Sequence, residues 1–390
     1  MKISNENKTL TVFLSGRIDS SNAEEKENEL NTNIKDKSFE NLVLDIEELE
    51  YLSSAGLRVI LRIRKNYPSL RIINASAEVF EIFDMTGFTE MIPVEKAYRK
   101  LSVDGCKVIG KGAKGTVYRY DADTIIKVYK DADSLPSIKR ERELARKAFV
   151  LGIPTAIPYD VVKVGNSFGS VFELLNAESY SSLIAENSDK FDDYVSFYAE
   201  LLKKIHSTDI KKGEMDDIKE RIYKWVKTSA PYLKNNDAEK LNKMIDDVPE
   251  TLNMLHCDYH TNNIMMQNGE TLLIDMDTLA QGHPIFELAN IHITYVGFGE
   301  EDPSVVENFL GLPYPTAVEI WNKFLPFYLD TQDKERIKEV ENKTKLLSYT
   351  RLMHHKIRRG AAETEEGRKS IEIYADKINK LLESVDSLNF

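Results

Sequence analysis

The segment HCDYHTNNI, residues 256 to 264, concentrates ionisable and amide side chains that could transfer a phosphoryl group. Such a reaction needs a carboxylate beside the attacking hydroxyl and oxygen ligands for Mg²⁺ at the donor phosphates. Asp258 can supply the carboxylate, while Asn263 and, at the end of the apolar run LLI, Asp275 can supply the metal ligands. We therefore predict Asp258 as the catalytic base and a buried strand that delivers Asp275 to the site.

A glycine-rich turn upstream of this segment suits phosphate binding. Gly110, Gly112 and Gly115 follow the spacing G-x-G-x-x-G, and the strand-like sequence TVYRY comes next. Because glycine has no Cβ, the backbone N–H groups of such a turn can approach phosphates closely. The same glycines would also suit a plain hairpin.

Lys127 favours the phosphate-binding interpretation. In TIIKVY, strand alternation places Ile125, Lys127 and Tyr129 on one face. A lysine there either extends to the surface or offers a point charge to the α- and β-phosphates. On the following predicted helix, Glu141 shares a face with apolar residues, whereas Glu143 faces elsewhere. We predict Glu141 as the partner of the lysine and keep Glu143 as the alternative.

The order of the three motifs favours a phosphotransferase over two other functions. A metal hydrolase, which the histidines beside Asp258 would also allow, leaves the glycine turn and Lys127 unexplained. A binding module without catalysis is disfavoured because the lysine, both aspartates and the asparagine are all retained.

Strand and helix patterns predict two domains around these motifs. Residues 1 to 101 alternate strands with helices, which indicates a small α/β domain. In that part, Ser21 and Glu24 resemble a capping box that opens a helix through about Lys35. From Cys106 the pattern becomes antiparallel β, and beyond residue 285 nearly everything is predicted to be helical.

Bulk composition indicates a soluble cytoplasmic protein. The chain has 390 residues, a formal net charge of −12 and two cysteines. It contains no lysine- or arginine-rich tract typical of nucleic-acid binding, no signal-peptide core and no apolar run of membrane-spanning length. We expect no nucleic-acid partner and no membrane association.

Residues from about 106 to 390 resemble the aminoglycoside phosphotransferase and choline kinase group of protein-kinase-like enzymes. The group's catalytic loop H-G-D-x-H-x-x-N is matched in residues 256 to 263, and its I-D-x-x metal strand is matched at Ile274 and Asp275. GHPIFELA, residues 282 to 289, approximates its G-D-P-x-x-D-L-A segment. In this chain Cys257 replaces the usual glycine, His283 and Glu287 stand where aspartates are common, and Asp277 takes the third position of D-x-G.

This resemblance implies a bilobal α+β domain over residues 102–390, with an antiparallel β N-lobe to about 176 and a mostly helical C-lobe. It implies ATP and Mg²⁺ as cofactors, with Asn263 and Asp275 as metal ligands. Lys127 with Glu141 would orient the nucleotide. FELLN, residues 172 to 176, resembles the interlobe hinge, in which Glu173 and Leu175 would contact the adenine through their backbone.

The acceptor is predicted to be a hydroxyl of a small molecule. No arginine precedes Asp258, so the usual link to a phosphorylated activation loop is missing. The segment after Asp275 is short and lacks A-P-E, so the peptide platform of ordinary protein kinases is not evident.

Residues 1 to 101 resemble the STAS domain of anti-sigma factor antagonists through LDIEELEYLSSAGLRVIL, residues 44 to 61. In that family a serine in this turn is phosphorylated. Ser54 aligns best with that serine, and Ser53 replaces the family's aspartate. Either serine would also suit a helix N-cap. The domain is predicted to regulate the enzyme or to dock a protein partner. The alternative function is a signalling kinase that phosphorylates Ser54.

Overall fold

A computed structural model of the chain describes residues 1–112, 114–234 and 236–390. The chain forms two compact units: Met1–Ser102 with Val161–Gly165, and Val103–Asp160 with Asn166–Phe390. In the described ranges, no helix combines the length and the apolar character that crossing a bilayer would require.

The first unit is built on a mostly parallel sheet, as the alternating strand and helix patterns predict. Its order is β1-β2-β3-β4-β5, and only β1 runs antiparallel to its neighbour. The strands are β1 Lys2–Glu6, β2 Thr9–Ile18, β3 Asn41–Leu52, β4 Leu70–Ala75 and β5 Val94–Lys96, followed by the short β6 Arg99–Leu101.

Helices of the first unit fill the connections between these strands, and apolar residues of both form one core. The helices are α1 Ala23–Ile34, α2 Ser54–Asn66, α3 Ala77–Met85 and α4 Phe88–Met91. The capping box predicted at Ser21 is wrong: Asn22 is the N-cap of α1, and the Ser21 hydroxyl and N–H both donate to Asp19. A neighbouring carboxylate therefore engages the serine that the cap would have used.

The second unit begins with strands that form an antiparallel meander. β7 pairs with β8, β8 with β9, and β9 with β11. The remaining strands of the chain are β7 Lys107–Lys111, β8 Gly115–Arg119, β9 Thr124–Tyr129, β10 Pro158–Val164, β11 Ser167–Glu173, β12 Glu178–Ser179, β13 Met254–Leu255, β14 Ile264–Gln267, β15 Glu270–Leu273 and β16 Ala280–Gln281.

One short segment far along the chain clusters with the first unit. Residues Val161–Gly165 group with the first unit, because β10 pairs in parallel with β6 and sets Val162 opposite Arg99. A pairing between strands so distant in sequence is not encoded in either strand's own pattern.

Helices supply most of the remaining second unit, as predicted beyond residue 285, and two clusters of buried apolar residues form its core. The helices are α5 Leu135–Val150, α6 Tyr180–Glu186, α7 Phe191–His206, α8 Lys219–Ser229, α9 Asp237–Asp246, α10 Ile285–His292, α11 Pro303–Leu310, α12 Tyr314–Leu329, α13 Lys334–Arg358 and α14 Glu365–Leu382.

Candidate active site

An ion-pair network centred on Lys127 joins strand β9, helix α5 and Asp275, which lies two residues after the end of β15. The Lys127 ammonium lies 2.8 Å from Glu141 Oε1 and 3.1 Å from Asp275 Oδ1. Burial alone would lower the pKa of Lys127, but the two carboxylates outweigh burial and raise it. The lysine therefore keeps its positive charge at the point where donor phosphates would need it.

Glu141, and not the alternative Glu143, is the partner of the lysine. Glu141 is buried on the face of α5 that carries Ile138 and Ala145, and the Tyr129 hydroxyl donates to its second oxygen. Glu143 is exposed and pairs with Lys147 at 3.0 Å. The apolar spacing of α5 correctly indicated which glutamate faces inward.

The glycine turn lies between β7 and β8 and borders the same cavity as Lys127. At Gly115 an added Cβ would lie 2.3 Å from the carbonyl oxygen of Val128, so the close approach of β8 to β9 requires glycine. Lys114 in this turn forms an ion pair with Asp277. Asp277, which takes the third position of D-x-G, lines the same cavity.

The catalytic loop places Asp258 and Asn263 beside each other. Asn263 Nδ2 donates to the Asp258 carbonyl at 3.0 Å. Burial would raise the pKa of Asp258, but the neighbouring His260, 3.7 Å away, and His256 outweigh it, so that pKa lies below its usual value. The carboxylate is consequently ionised near neutral pH and can accept a proton.

Glu287 stabilises this loop by accepting hydrogen bonds from its backbone, a role that the sequence did not reveal. Its fully buried carboxylate accepts the backbone N–H groups of Cys257 at 2.6 Å and His256 at 2.9 Å. His206 Nε2 also lies 2.9 Å from it. Cys257 has φ +67°, in the left-handed region that favours glycine, and the family motif has glycine at this position. The hydrogen bonds from Glu287 help to hold this unusual conformation.

The donor set near Asp275 suits a hard divalent cation such as Mg²⁺. Carboxylate oxygens of Glu141, Asp275 and Asp277 all lie within 4.8 Å of one another. Asp275 itself has φ +61° and directly follows the apolar run LLI, residues 272 to 274. Asn263 lines the same cavity, so the residues that we predicted as metal ligands lie together. Oxygen ligands of this kind are those that Mg²⁺ prefers.

One cavity is lined by the residues of the second unit that were predicted to act in catalysis, nucleotide binding or metal binding. It has a volume of about 560 Å³, within the range typical of ligand sites. In the predicted hinge, residues 172 to 176, the Leu174 N–H donates to the Asp123 carbonyl at 2.7 Å. The predicted residues on its walls are Gly110, Gly112, Gly115, Lys127, Glu141, Glu173, Leu175, Asp258, Asn263 and Asp275.

In the first unit, the two candidate serines differ in structure. Ser53 is the N-cap of α2, and its Oγ accepts the N–H groups of Ala55 at 3.2 Å and Gly56 at 3.4 Å. Ser54 is the first residue of the helix and is exposed. Capping is therefore the structural role of Ser53, and Ser54 is accessible to a modifying enzyme.

Comparison with known families gives a match for each part of the chain. The model of the phosphotransferase enzyme family matches residues 105–316, which is more than half of the chain. The model of the STAS domain matches residues 1–101. Both matches agree with the predicted fold class, an α/β domain followed by a kinase-like domain.

Individual relatives are similar to one part or the other. BtrV of Bordetella bronchiseptica, a candidate anti-sigma factor antagonist, is 37% identical over 89 residues, which cover 22% of this chain and 76% of that protein. The ADP-bound aminoglycoside phosphotransferase APH(2'')-Ib is 16% identical, with a TM-score of 0.49, 77% of this chain and 98% of that chain covered. The gentamicin complex of APH(2'')-IIa is 17% identical, with a TM-score of 0.45 and coverages of 81% and 98%.

Proposed function

The chain belongs to the phosphotransferase enzyme family and is a kinase with a hydroxyl acceptor, and from this premise we propose that it transfers the γ-phosphoryl group of ATP to a small molecule. The observation that carries the proposal is the network in which Lys127 lies 2.8 Å from Glu141 and 3.1 Å from Asp275, in the cavity that Asp258 also lines. The STAS domain of residues 1–101 would regulate the enzyme or dock a protein partner.

Each side chain of the cavity has a defined task in this reaction. Lys127, oriented by Glu141, neutralises the donor's α- and β-phosphates, while the backbone of the glycine turn covers them. Asp258 orients the acceptor hydroxyl and takes its proton. The acceptor oxygen forms a bond to the γ-phosphorus as the bond from that phosphorus to the β,γ-bridging oxygen breaks, and ADP leaves.

Asp275 and Asn263 would hold Mg²⁺, since both present oxygen donors to the same cavity. When bound, the ion supplies neutralisation of charge on the donor's phosphate oxygens. Lys127 and Lys114 offset part of the negative charge of this region by pairing with Asp275 and Asp277.

A small-molecule acceptor is supported by the short connection after Asp275. The six residues Met276 to Gln281 separate it from Gly282, and α10 begins at Ile285. Such a connection offers little surface on which an extended peptide could lie. The protein kinase platform has its own longer segment at this point.

The direct test is release of ADP from ATP and Mg²⁺ in the presence of a panel of hydroxylated metabolites, sugars and aminoglycosides. We expect at least one acceptor to be phosphorylated, and Asp258→Asn to abolish transfer while ADP binding, measured by calorimetry, is retained. The variant Asp302→Asn, at an exposed helix cap, serves as the control. Equal turnover by Asp258→Asn and the wild type would refute the assignment.

A second candidate function is phosphorylation of Ser54, in the same chain or in another copy. It is favoured by the exposure of Ser54 at the start of α2, where Ser53 already provides the cap. A phosphate at a helix N-terminus interacts favourably with the helix dipole and changes the charge presented to a protein partner.

Labelled ATP distinguishes the two candidates. The protein is incubated with labelled ATP and Mg²⁺ without any acceptor, and labelled residues are mapped by mass spectrometry. Label on Ser54 that is lost in Asp258→Asn supports phosphorylation of Ser54 by this chain. Ser53→Ala tests whether the adjacent hydroxyl is labelled instead. An unlabelled chain that still transfers phosphate to a metabolite refutes it.

A further inference from the structure

A second, smaller cavity adjoins the first at Asp258. Its volume is about 170 Å³, and Asp258 lines both cavities. Because Asp258 is the proposed base, a molecule in the second cavity could present a hydroxyl to its carboxylate. The remaining walls are mostly apolar and aromatic, and include Ile293, Phe298, Val306 and Phe309.

Arg351 is the positively charged residue of this cavity. It lies on α13, is half-buried, and donates a hydrogen bond to Asn290 Oδ1. Its guanidinium also lies over the indole ring of Trp225, 5.4 Å from the centroid. Asn290 in turn donates to the Cys257 carbonyl at 3.3 Å, which ties the arginine to the catalytic loop. The orientation of Arg351 is therefore fixed from two sides.

No carboxylate of the described residues forms a salt bridge with Arg351. The bond to Asn290 uses one nitrogen, and a guanidinium carries five N–H donors in a planar fork. Asp258, which lines the same cavity, attracts the guanidinium electrostatically but forms no salt bridge with it. Because the half-buried Arg351 lines the cavity, an anionic group of a ligand could accept paired hydrogen bonds from its remaining N–H groups.

The other residues around the cavity add little charge of their own. His354 and His355 follow Arg351 on α13, and burial lowers the pKa of both rings, so they are neutral near pH 7. The His355 ring lies 6.0 Å from that of Phe298, which lines the cavity. The neighbouring acidic residues are already paired. Glu300 binds Lys377 and the Tyr349 hydroxyl, and Glu301 binds Lys356 and the Ser370 hydroxyl.

We propose that this cavity is the acceptor site and that Arg351 binds an anionic group of the acceptor, so that the substrates are small hydroxylated acids with a carboxylate or a phosphate ester. The proposal rests on the phosphotransferase function above and names its substrate class. Cavities of ~150 Å³ hold a molecule about the size of benzene, so the enclosed part of the acceptor is small. A polycationic acceptor would instead place like charge beside Arg351.

Binding can be tested independently of turnover because Arg351 lies over one of only two tryptophans in the chain, Trp225 and Trp321. The full-length protein, loaded with ADP and Mg²⁺, is titrated with lactate and mandelate, and with the amide and amine of each. Trp225→Phe identifies the fluorescence change that belongs to this site. Glycerol phosphate, compared with glycerol, tests the phosphate ester as the anionic group.

We expect each acid to bind at least tenfold more tightly than its amide, and the amine to bind most weakly. Arg351→Gln should remove the preference, and Arg351→Lys should restore part of it with looser geometry. Arg336→Gln, on an exposed part of the same helix, should leave the preference intact. Equal binding of acid and amide, tighter binding of the amine, or no response to any of the compounds would overturn the proposal.

Acceptor turnover, measured as ADP release, separates this proposal from the proposed function. Phosphorylation of acids that depends on Arg351 supports both. Acids that bind through Arg351 without any transfer would leave the anion site standing and count against the phosphotransferase function. Transfer to amines or aminoglycosides alone would preserve that function and refute the anionic acceptor.

Discussion

Glu287 accepts the backbone N–H of Cys257 at 2.6 Å, and this contact joins helix α10 to the catalytic loop at the residue with φ +67°. The carboxylate is fully buried and has two further donors, the His256 N–H and the His206 ring. Removing it would leave several buried donors without an acceptor. The geometry of Asp258, the next residue after Cys257, therefore depends on a side chain outside the cavity.

Glu287→Gln should lower both stability and turnover. The amide would direct an NH₂ group at donors that now share a carboxylate, which we expect to cost about 3 kcal/mol of unfolding free energy. Urea denaturation measures this loss, and kcat should fall with little change in the KM for ATP. The exposed Glu366→Gln should change the free energy by less than about 0.5 kcal/mol. A stable, fully active Glu287→Gln would contradict the role given to this contact.

Glu141→Gln should weaken ATP use, whereas Glu143→Gln should not. Loss of the 2.8 Å ion pair frees Lys127 from its position at the phosphates, and the KM for ATP should rise about tenfold or more. Glu143 pairs with Lys147 on the surface, where an ion pair contributes little. Steady-state kinetics of the two variants, two residues apart on one helix, form a matched comparison. Similar KM values would show that the ion pair does not position the lysine.

Asp275→Asn should raise the Mg²⁺ concentration needed for half-maximal activity by about tenfold or more. The effect follows from the loss of a negatively charged oxygen ligand among the carboxylates within 4.8 Å of one another. Asp277→Asn distinguishes a metal ligand from a partner of Lys114. If Asp277 serves only as the ion-pair partner of Lys114, the Mg²⁺ dependence of Asp277→Asn should stay close to that of the wild type, while its KM for ATP should change. Activity is titrated with Mg²⁺ at saturating ATP.

Stability should decline as the pH falls from about 6.5, because buried His292 resists protonation. Burial lowers the pKa of His292 to about 3, and its Nδ1 lies 2.8 Å from the Ser348 hydroxyl. Between pH 6.5 and 3 the unfolded chain binds a proton there that the folded chain does not, so unfolding becomes more favourable. The contribution of His292 is about 2 kcal/mol between pH 6.5 and 5.

Urea unfolding at pH 7.5 and pH 5.0 measures this loss, and His292→Asn should reduce it. Asp258 contributes in a different window, since its lowered pKa supplies stability that is lost only as the pH falls through that lower value. An identical loss in the wild type and in His292→Asn would show that other groups cause the pH dependence.

Sequence alone predicted the parts of the site that local patterns encode. Strand alternation placed Ile125 and Lys127 on the cavity side, and apolar spacing in α5 placed Glu141 opposite the lysine. Arg351 was missed because it lies on α13, far along the chain from Asp258, and only tertiary packing brings it to the cavity. Glu287 appeared only as a departure from a motif, since its bonds to loop N–H groups are not visible in a sequence.

Ser53 and Ser54 should respond differently to replacement by alanine. Ser53→Ala removes the oxygen that accepts the N–H groups of Ala55 and Gly56, and should cost about 1 kcal/mol of stability in the first unit. Ser54→Ala, at the exposed first position of α2, should change stability by less than about 0.5 kcal/mol. Denaturation curves of the full-length variants provide the comparison.

If Ser54→Ala abolishes label incorporation from ATP at wild-type stability, the loss reports a missing phosphoacceptor and not an unfolded domain. A larger destabilisation by Ser54→Ala than by Ser53→Ala would reverse the two assignments.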